Sequence, residues 1–196
     1  MTNEQKQRLL AFLTDAQGVP YYGGQIDGKW GPISQKAADR FLEDFGVSLQ
    51  PDTVTVSVPE ATDAGTVLVF SLAEDGAKQL TKNFKVREFA CKDGSDVVFI
   101  HPMLPVWCQA VRDKFGYSFS PNSAYRTVSY NAKIPDASKK SRHCMGLAVD
   151  IPAKDGTTPQ QLYDFFEEIL GDTGGLGLYS WGVHVDPRPT KSRWTG

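Results

Sequence analysis

The ten residues Ser141-Arg142-His143-Cys144-Met145-Gly146-Leu147-Ala148-Val149-Asp150 contain the most informative pattern of this chain. Asp150 is a charge among apolar neighbours, which predicts a short strand with one acidic side chain. A buried carboxylate needs a partner, often an arginine or a metal ion. If His143 lies at a turn, Gly146 lets the chain reverse direction, and the His143 and Asp150 side chains can then approach the same point.

A second polar context, Gly182-Val183-His184-Val185-Asp186, contains another histidine. A catalytic zinc ion takes about three His or carboxylate ligands and keeps one position open for water. His143, Asp150 and His184 meet that need. Spacing alone leaves the alternative open that either histidine is a structural or surface residue.

The third histidine and the three cysteines are not predicted to bind metal. His101 precedes Pro102 at a predicted helix start. Three cysteines, Cys91, Cys108 and Cys144, are too few and too widely spaced for a disulfide framework or a Cys-rich zinc ribbon. We expect reduced and mostly buried thiols, with Cys144 packing beside His143 rather than joining it as a ligand.

Composition limits the possible partners of the chain. It has 196 residues and a formal net charge of −2. Without a basic run, nucleic acid is not expected as a partner. No apolar run approaches the roughly 18 residues that span a bilayer, so membrane insertion is not expected. Residues 1–18 lack the basic start and continuous apolar stretch of a secretory signal. We expect a monomer.

Apolar periodicity predicts a mixed α+β fold. The predicted helices cover residues 2–17, a segment starting near 34, 102–116 and 159–170. The predicted strands cover residues 148–151, 175–179 and 183–186. Residues 51–79 are interrupted by proline and glycine and indicate a linker, although residues 53–58 alternate like a strand. The predicted organisation is a helical segment at 1–50, a linker at 51–79 and a larger domain at 80–196.

The pattern Ser141-x-His143-x-x-Gly146-x-Ala148-x-Asp150, with His184 downstream, resembles the signature of zinc D-Ala-D-Ala carboxypeptidases, which share the hedgehog/DD-peptidase fold. Three further segments of this family have similar counterparts at residues 83–91, 123–131 and 174–179, so the resemblance covers about residues 80–196. It implies a zinc ion (Zn²⁺) held by His143, Asp150 and His184. It also implies cleavage of peptidoglycan stem peptides, by a carboxypeptidase or endopeptidase reaction that the sequence does not distinguish.

The resemblance also assigns substrate contacts. Arg126 matches the arginine that grips the substrate, which makes it both a catalytic and a substrate-binding candidate, against the alternative of a surface salt bridge. Ser141 matches a serine that contacts the terminal carboxylate of the substrate. A hydrogen bond that only stabilises the turn explains Ser141 equally well.

The general base is the point at which this sequence departs from the family. Many relatives place an acidic residue three positions before the last histidine, or a histidine two positions before it. Here Trp181 and Gly182 occupy these positions, and neither can take a proton. We therefore expect Asp186, on the same strand face as His184, to be the base. The alternative is that Asp186 orients His184 or pairs with Arg188.

Residues 26–41 resemble the Asp-Gly-x-x-Gly-x-x-Thr repeat of small helical peptidoglycan-binding domains. They predict a wall-binding segment, or a purely structural version of one. With no secretory signal, this resemblance suggests a phage or prophage endolysin that stays in the cytoplasm until it is released to the cell wall. A catalytically silent, zinc-containing wall-binding module is the alternative. A sugar-cleaving hydrolase would need a carboxylate pair, and none stands out.

Overall fold

The structure is a computed structural model that describes residues 2–45 and 67–196. Its α-helices are α1 Asn3–Phe12, α2 Pro32–Phe45, α3 Leu72–Asp75, α4 Met103–Phe115, α5 Val128–Asn131 and α6 Pro159–Leu170. Its strands are β1 Leu68–Ser71, β2 Val97–Ile100, β3 Val149–Pro152, β4 Gly175–Tyr179, β5 Gly182–Asp186 and β6 Ser192–Thr195. Two short 3-10 helices cover Val86–Phe89 and Arg142–Met145. This mixture confirms the α+β class.

A four-stranded sheet forms the framework of the site. Its strand order is β3-β5-β4-β6. The β3–β5 and β5–β4 pairs are antiparallel, whereas β6 runs parallel to β4. Helix α6 packs against β4 and β5. Because side chains alternate across a strand, Val183 and Val185 lie on one face and His184 lies on the other. The polar side chains of β3 and β5 therefore share one face of the sheet.

The predicted bounds of α6 are confirmed, because its signals are local. Thr158 and Gln161 form a capping box, and Pro159 takes the first helical position. Leu162 and Phe166 are buried at helical spacing. The predicted helix at residues 102–116 is likewise present, as α4.

Helix α1 is shorter than predicted. The capping box of Thr2 and Gln5 is present, but the helix ends at Phe12 rather than at residue 17. The chain turns back beyond that point, and the Tyr22 N–H donates to the Leu10 carbonyl over 3.1 Å. A hairpin, closed by an isolated antiparallel β-bridge between Thr14 and Pro20, takes the place of the last predicted helical turn.

The N-terminal segment packs into the core of the larger domain. Leu10 and Leu13 are buried in the same hydrophobic cluster as the central helices. The Phe12 ring lies 4.9 Å from that of Phe165 on α6, and the Gln5 side chain donates to the Leu170 carbonyl over 2.6 Å. The sequence predicted a boundary at residue 50. These contacts oppose it, because α1 buries its apolar face on α4 and α6.

The predicted linker, residues 51–79, lies partly outside the described residues, as does its strand-like stretch at 53–58. Its last part is structured. Residues 68–71 form β1, which pairs antiparallel with β2 in the register Leu68↔Ile100 to Ser71↔Val97. Phe70 joins the buried core. Residues 68–75 therefore belong to the fold and not to a linker, and that part of the expectation is corrected.

Helix length bears on membrane insertion. The longest helix among residues 2–45 and 67–196 has 14 residues. None of the helices described there is both long and apolar enough to cross a bilayer.

Candidate metal centre

Three side chains converge on the polar face of the sheet. The Nδ1 atom of His184 lies 3.0 Å from Oδ1 of Asp150 and 3.1 Å from Nε2 of His143. The His143 Nε2 atom lies 3.2 Å from the same Asp150 oxygen. Tetrahedral zinc with bonds near 2.1 Å has ligand atoms roughly 3.4 Å apart. The two nitrogens and one oxygen therefore form a triangle of nearly the right size, with the donor types that zinc takes.

The backbone explains this convergence. Asp150 on β3 and His184 on β5 are direct cross-strand partners. His143 lies in the 3-10 helix Arg142–Met145, and Gly146, the residue that caps this helix, has a φ of +68°. A Cβ atom on Gly146 would come within 2.5 Å of Phe99. Glycine is needed there both for the left-handed turn and for the close approach of Phe99.

The segment between Ser123 and Arg126 links the two halves of the site. The Asp150 N–H donates to the Ser123 carbonyl over 2.8 Å, and the Arg126 N–H donates to the His143 carbonyl over 3.1 Å. The His143 ring lies 2.7 Å from the Ala124 carbonyl through its Nδ1 atom. A carbonyl only accepts, so Nδ1 carries the proton and Nε2 presents its lone pair to the triangle.

Asp186 fixes the second histidine in the same way. Its Oδ2 atom lies 3.2 Å from Nε2 of His184, the ring nitrogen on the far side from Asp150. Arg188 donates to the same carboxylate from Nε and Nη2, over 2.7 and 2.6 Å. This geometry opposes the expectation that Asp186 is the general base. It supports the alternative in which a carboxylate orients a metal-binding histidine.

The electrostatics keep both carboxylates ionised. Burial disfavours charge on Asp150, but the hydrogen bonds and charges of His143 and His184 hold its pKa well below the ordinary value. Burial also disfavours charge on Asp186, but the hydrogen bonds and charges of His184 and Arg188 outweigh it and hold the pKa of Asp186 low. Burial lowers the pKa of His143, whereas Asp150 and Asp186 outweigh burial at His184 and raise its pKa. Asp150 is therefore available as a ligand and Asp186 as an acceptor.

Arg126 lies beside the triangle. Its Nη2 donates to Oδ2 of Asp150 over 2.8 Å, and its Nε donates to the Ser123 hydroxyl over 2.7 Å. The guanidinium is thereby fixed next to the Asp150 oxygen that does not face the histidines. The Ser141 hydroxyl makes no capping hydrogen bond to the 3-10 helix that follows it.

A tryptophan that the sequence reasoning missed covers one metal-ligand candidate. Trp194 on β6 lies with its ring centre 5.2 Å from that of His184. β4 lies between the strands that carry them, and Gly177 stands opposite both residues in the register. A Cβ atom on Gly177 would come within 2.5 Å of the Trp194 ring. The glycine gives the indole room to pass over β4.

Gly175, two residues before Gly177, likewise leaves room for nearby side chains. A Cβ atom there would come within 2.1 Å of Asp186 Oδ2 and 2.6 Å of Arg188 Nε. Gly175 and Gly177 thus leave space for the side chains that support His184. Their spacing was visible in the sequence, but the side chains that fill the space were not.

His101 and the three cysteines lie outside the triangle of donor atoms. His101 Nδ1 accepts the Met103 N–H over 3.3 Å at the start of α4. Cys91 and Cys108 are buried, Cys144 is partly buried, and all three are free thiols.

A comparison with curated proteins finds no match to this chain. A family model described as Peptidase M15 matches residues 79–186, more than half of the chain and all three members of the triangle. A fold and site of this kind define a metallopeptidase. The chain belongs to the M15 peptidase family. Peptidases of this family depend on zinc and act on peptidoglycan substrates.

Proposed function

We propose that this protein is a zinc metallopeptidase that cleaves the stem peptides of peptidoglycan, with His143, Asp150 and His184 as the zinc ligands. The observation that carries the proposal is the triangle of donor atoms, 3.0 to 3.2 Å apart, on a buried sheet face. When bound, zinc polarises a carbonyl group and lowers the pKa of a coordinated water towards neutrality.

The supports of the two histidines favour a built metal site over a chance cluster. The Ala124 carbonyl and the Asp186 carboxylate each occupy the ring nitrogen that faces away from the triangle. Both rings are therefore held with a lone pair directed inward. We assign Asp186 to positioning His184, and Arg188 to holding Asp186.

Arg126 is the substrate-binding candidate in this proposal. A guanidinium has five N–H donors, and two of those on Arg126 bind Asp150 and Ser123. Other donors of the same fixed group can pair with a substrate carboxylate or carbonyl oxygen. Ser141, two residues before a ligand, is proposed to contact the terminal carboxylate of the substrate.

One observation favours the second candidate function, a zinc-containing wall-binding module without peptidase activity. Trp181 stands where many relatives keep an acidic general base, and its indole cannot accept a proton. The position of Asp186 at the outer nitrogen of His184 argues against its taking the place of that base.

We further propose that the protein is a phage or prophage endolysin that reaches the cell wall on release, with residues 26–41 contributing wall affinity. This part rests on the resemblance of that segment to peptidoglycan-binding repeats. A wall pull-down of the protein, with and without soluble muropeptides as competitors, tests it.

Mass spectrometry of purified muropeptides incubated with the protein tests the peptidase proposal. We expect shortened stem peptides from the wild type and none from His143→Ala. The mass lost identifies the bond and separates carboxypeptidase from endopeptidase action. Wall binding with zinc loaded and no cleaved product would support the silent module instead.

A further inference from the structure

A row of aromatic rings extends from the candidate metal centre to the tip of the β4–β5 hairpin. Trp194 packs on His184, and its Nε1 donates to the Tyr179 hydroxyl over 2.8 Å. Tyr179 stacks on Trp181 with ring centres 5.0 Å apart and planes 14° from parallel. The row thus starts at a ligand candidate and ends at Trp181, in the turn between the two strands.

The outer end of the row is exposed, and neighbouring rings support it. Trp181 is 38% exposed, although tryptophan is among the most apolar side chains. One face of its indole rests on Tyr179, whose hydroxyl is in turn held by Trp194. The protein thereby presents a flat apolar surface whose position is set by neighbouring rings. Binding a ligand there would cost little side-chain entropy.

We infer that Trp181 is the stacking surface of a sugar subsite, which takes one pyranose ring of the glycan strand that carries the stem peptide. This inference rests on the proposed function. The electron-rich face of an indole attracts the C–H groups along one side of a pyranose ring. Stem peptides consist of small aliphatic, acidic and diamino residues, so the sugar ring is the part of this substrate that offers a broad C–H face.

The length of the row agrees with such a substrate. Gly177 is the β4 partner of His184, and Tyr179 lies two residues further along that strand. Two residues at about 3.4 Å each, followed by the 5.0 Å step from the Tyr179 ring to the Trp181 ring, place that ring on the order of 12 Å from His184. An extended peptide covers about 3.3–3.6 Å per residue, so three or four residues bridge the gap. The subsite therefore suits cleavage three or four residues from the sugar.

The test compares one stem peptide in two forms, free and attached to a disaccharide of N-acetylated amino sugars. The proteins are the wild type, Trp181→Ala, Trp181→Phe and the control Leu42→Ala, which removes a side chain of similar exposure, 40%, on α2. The readouts are kcat/KM for each form and saturation-transfer NMR of the disaccharide alone.

We expect the wild type to prefer the disaccharide form. Trp181→Ala should lower that preference about five- to tenfold, through KM, the size of one aromatic stacking contact. Trp181→Phe should restore most of it, and Leu42→Ala should keep it. The disaccharide ring protons should receive saturation from the wild type and from Leu42→Ala but not from Trp181→Ala.

Equal losses on both forms, or no loss with unchanged NMR transfer, would overturn the sugar subsite. If the wild type cleaves neither form, the peptidase proposal has failed. The NMR comparison of wild type and Trp181→Ala then decides the subsite separately.

Discussion

The Nε2 atom of His184 lies 3.2 Å from Oδ2 of Asp186, on the side of the ring that faces away from Asp150. Asp186 is fully buried and ionised, and Arg188 binds both of its oxygens. A carboxylate held in this way can only accept, so His184 donates from Nε2 and directs Nδ1 towards the triangle. The role of Asp186 therefore concerns metal affinity.

Asp186→Asn tests that role. The variant keeps the shape but loses the charge that holds Arg188 and fixes the His184 tautomer. We expect zinc affinity to fall about 10- to 100-fold, the usual effect of removing such a support. Activity should return to near the wild-type value at saturating zinc. Unchanged zinc affinity, with turnover still 10²- to 10⁴-fold down at saturation, would instead identify a general base.

Gly177→Ala tests the packing of Trp194 on His184. A methyl group at residue 177 would meet the indole at 2.5 Å. We expect a loss of about 1–3 kcal/mol in unfolding free energy from overpacking, together with weaker zinc binding. The matched control is Gly23→Ala, because a Cβ atom there meets nothing within 4 Å. Identical chemical denaturation and zinc titration curves for the two variants would contradict this account.

The candidate metal centre and its surroundings show which features the sequence predicts and which it does not. His143, Asp150 and His184 could be selected as ligand candidates because the residue types and their motif spacing are visible in the sequence. The orientation of Asp186 could not be predicted. It depends on which His184 nitrogen faces the triangle and on the hydrogen bonds from Arg188. β6 was missed for a related reason. Ser192–Thr195 is a short edge strand without apolar alternation, and pairing with β4 defines it.

The N-terminal segment gives a similar lesson. The start of α1 was predicted to within one residue, because the capping box at Thr2 is a local signal. The end of α1 was not, because the hairpin that follows it is held by long-range contacts. Residues 26–41 resemble a separate binding domain, but this local resemblance does not predict that Leu10 is buried against the larger domain.

Arg126→Ala tests substrate binding beside the metal. The substitution removes a positioned donor, and we expect kcat/KM to fall on the order of 10²- to 10³-fold. Arg126→Lys should recover only part of this, because an ammonium group lacks the planar fork. Steady-state kinetics at saturating zinc provide the measurement, with zinc content determined in parallel. Turnover near the wild-type level in the zinc-loaded variant would make Arg126 purely structural.

Leu10→Ala tests whether the N-terminal segment belongs to the common core. Leu10 is fully buried in the cluster shared with α4 and α6. We expect the single unfolding transition of the whole protein to lose about 2–5 kcal/mol. Leu42→Ala, on an exposed face of α2, should change it by less than about 0.5 kcal/mol.

Deletion of residues 1–45 extends this test. Since α1 covers apolar surface of α4 and α6, we expect the remainder to lose cooperative thermal unfolding. A truncated protein that unfolds cooperatively at the wild-type temperature and cleaves soluble peptides would show that the segment is independent.

Metal analysis of the purified protein tests the central claim most directly. The account predicts about one zinc ion per chain in the wild type. It predicts none in His143→Ala/His184→Ala, a variant whose fold is checked by circular dichroism. Zinc stoichiometry that stays the same in the folded double variant would contradict the proposed metal centre.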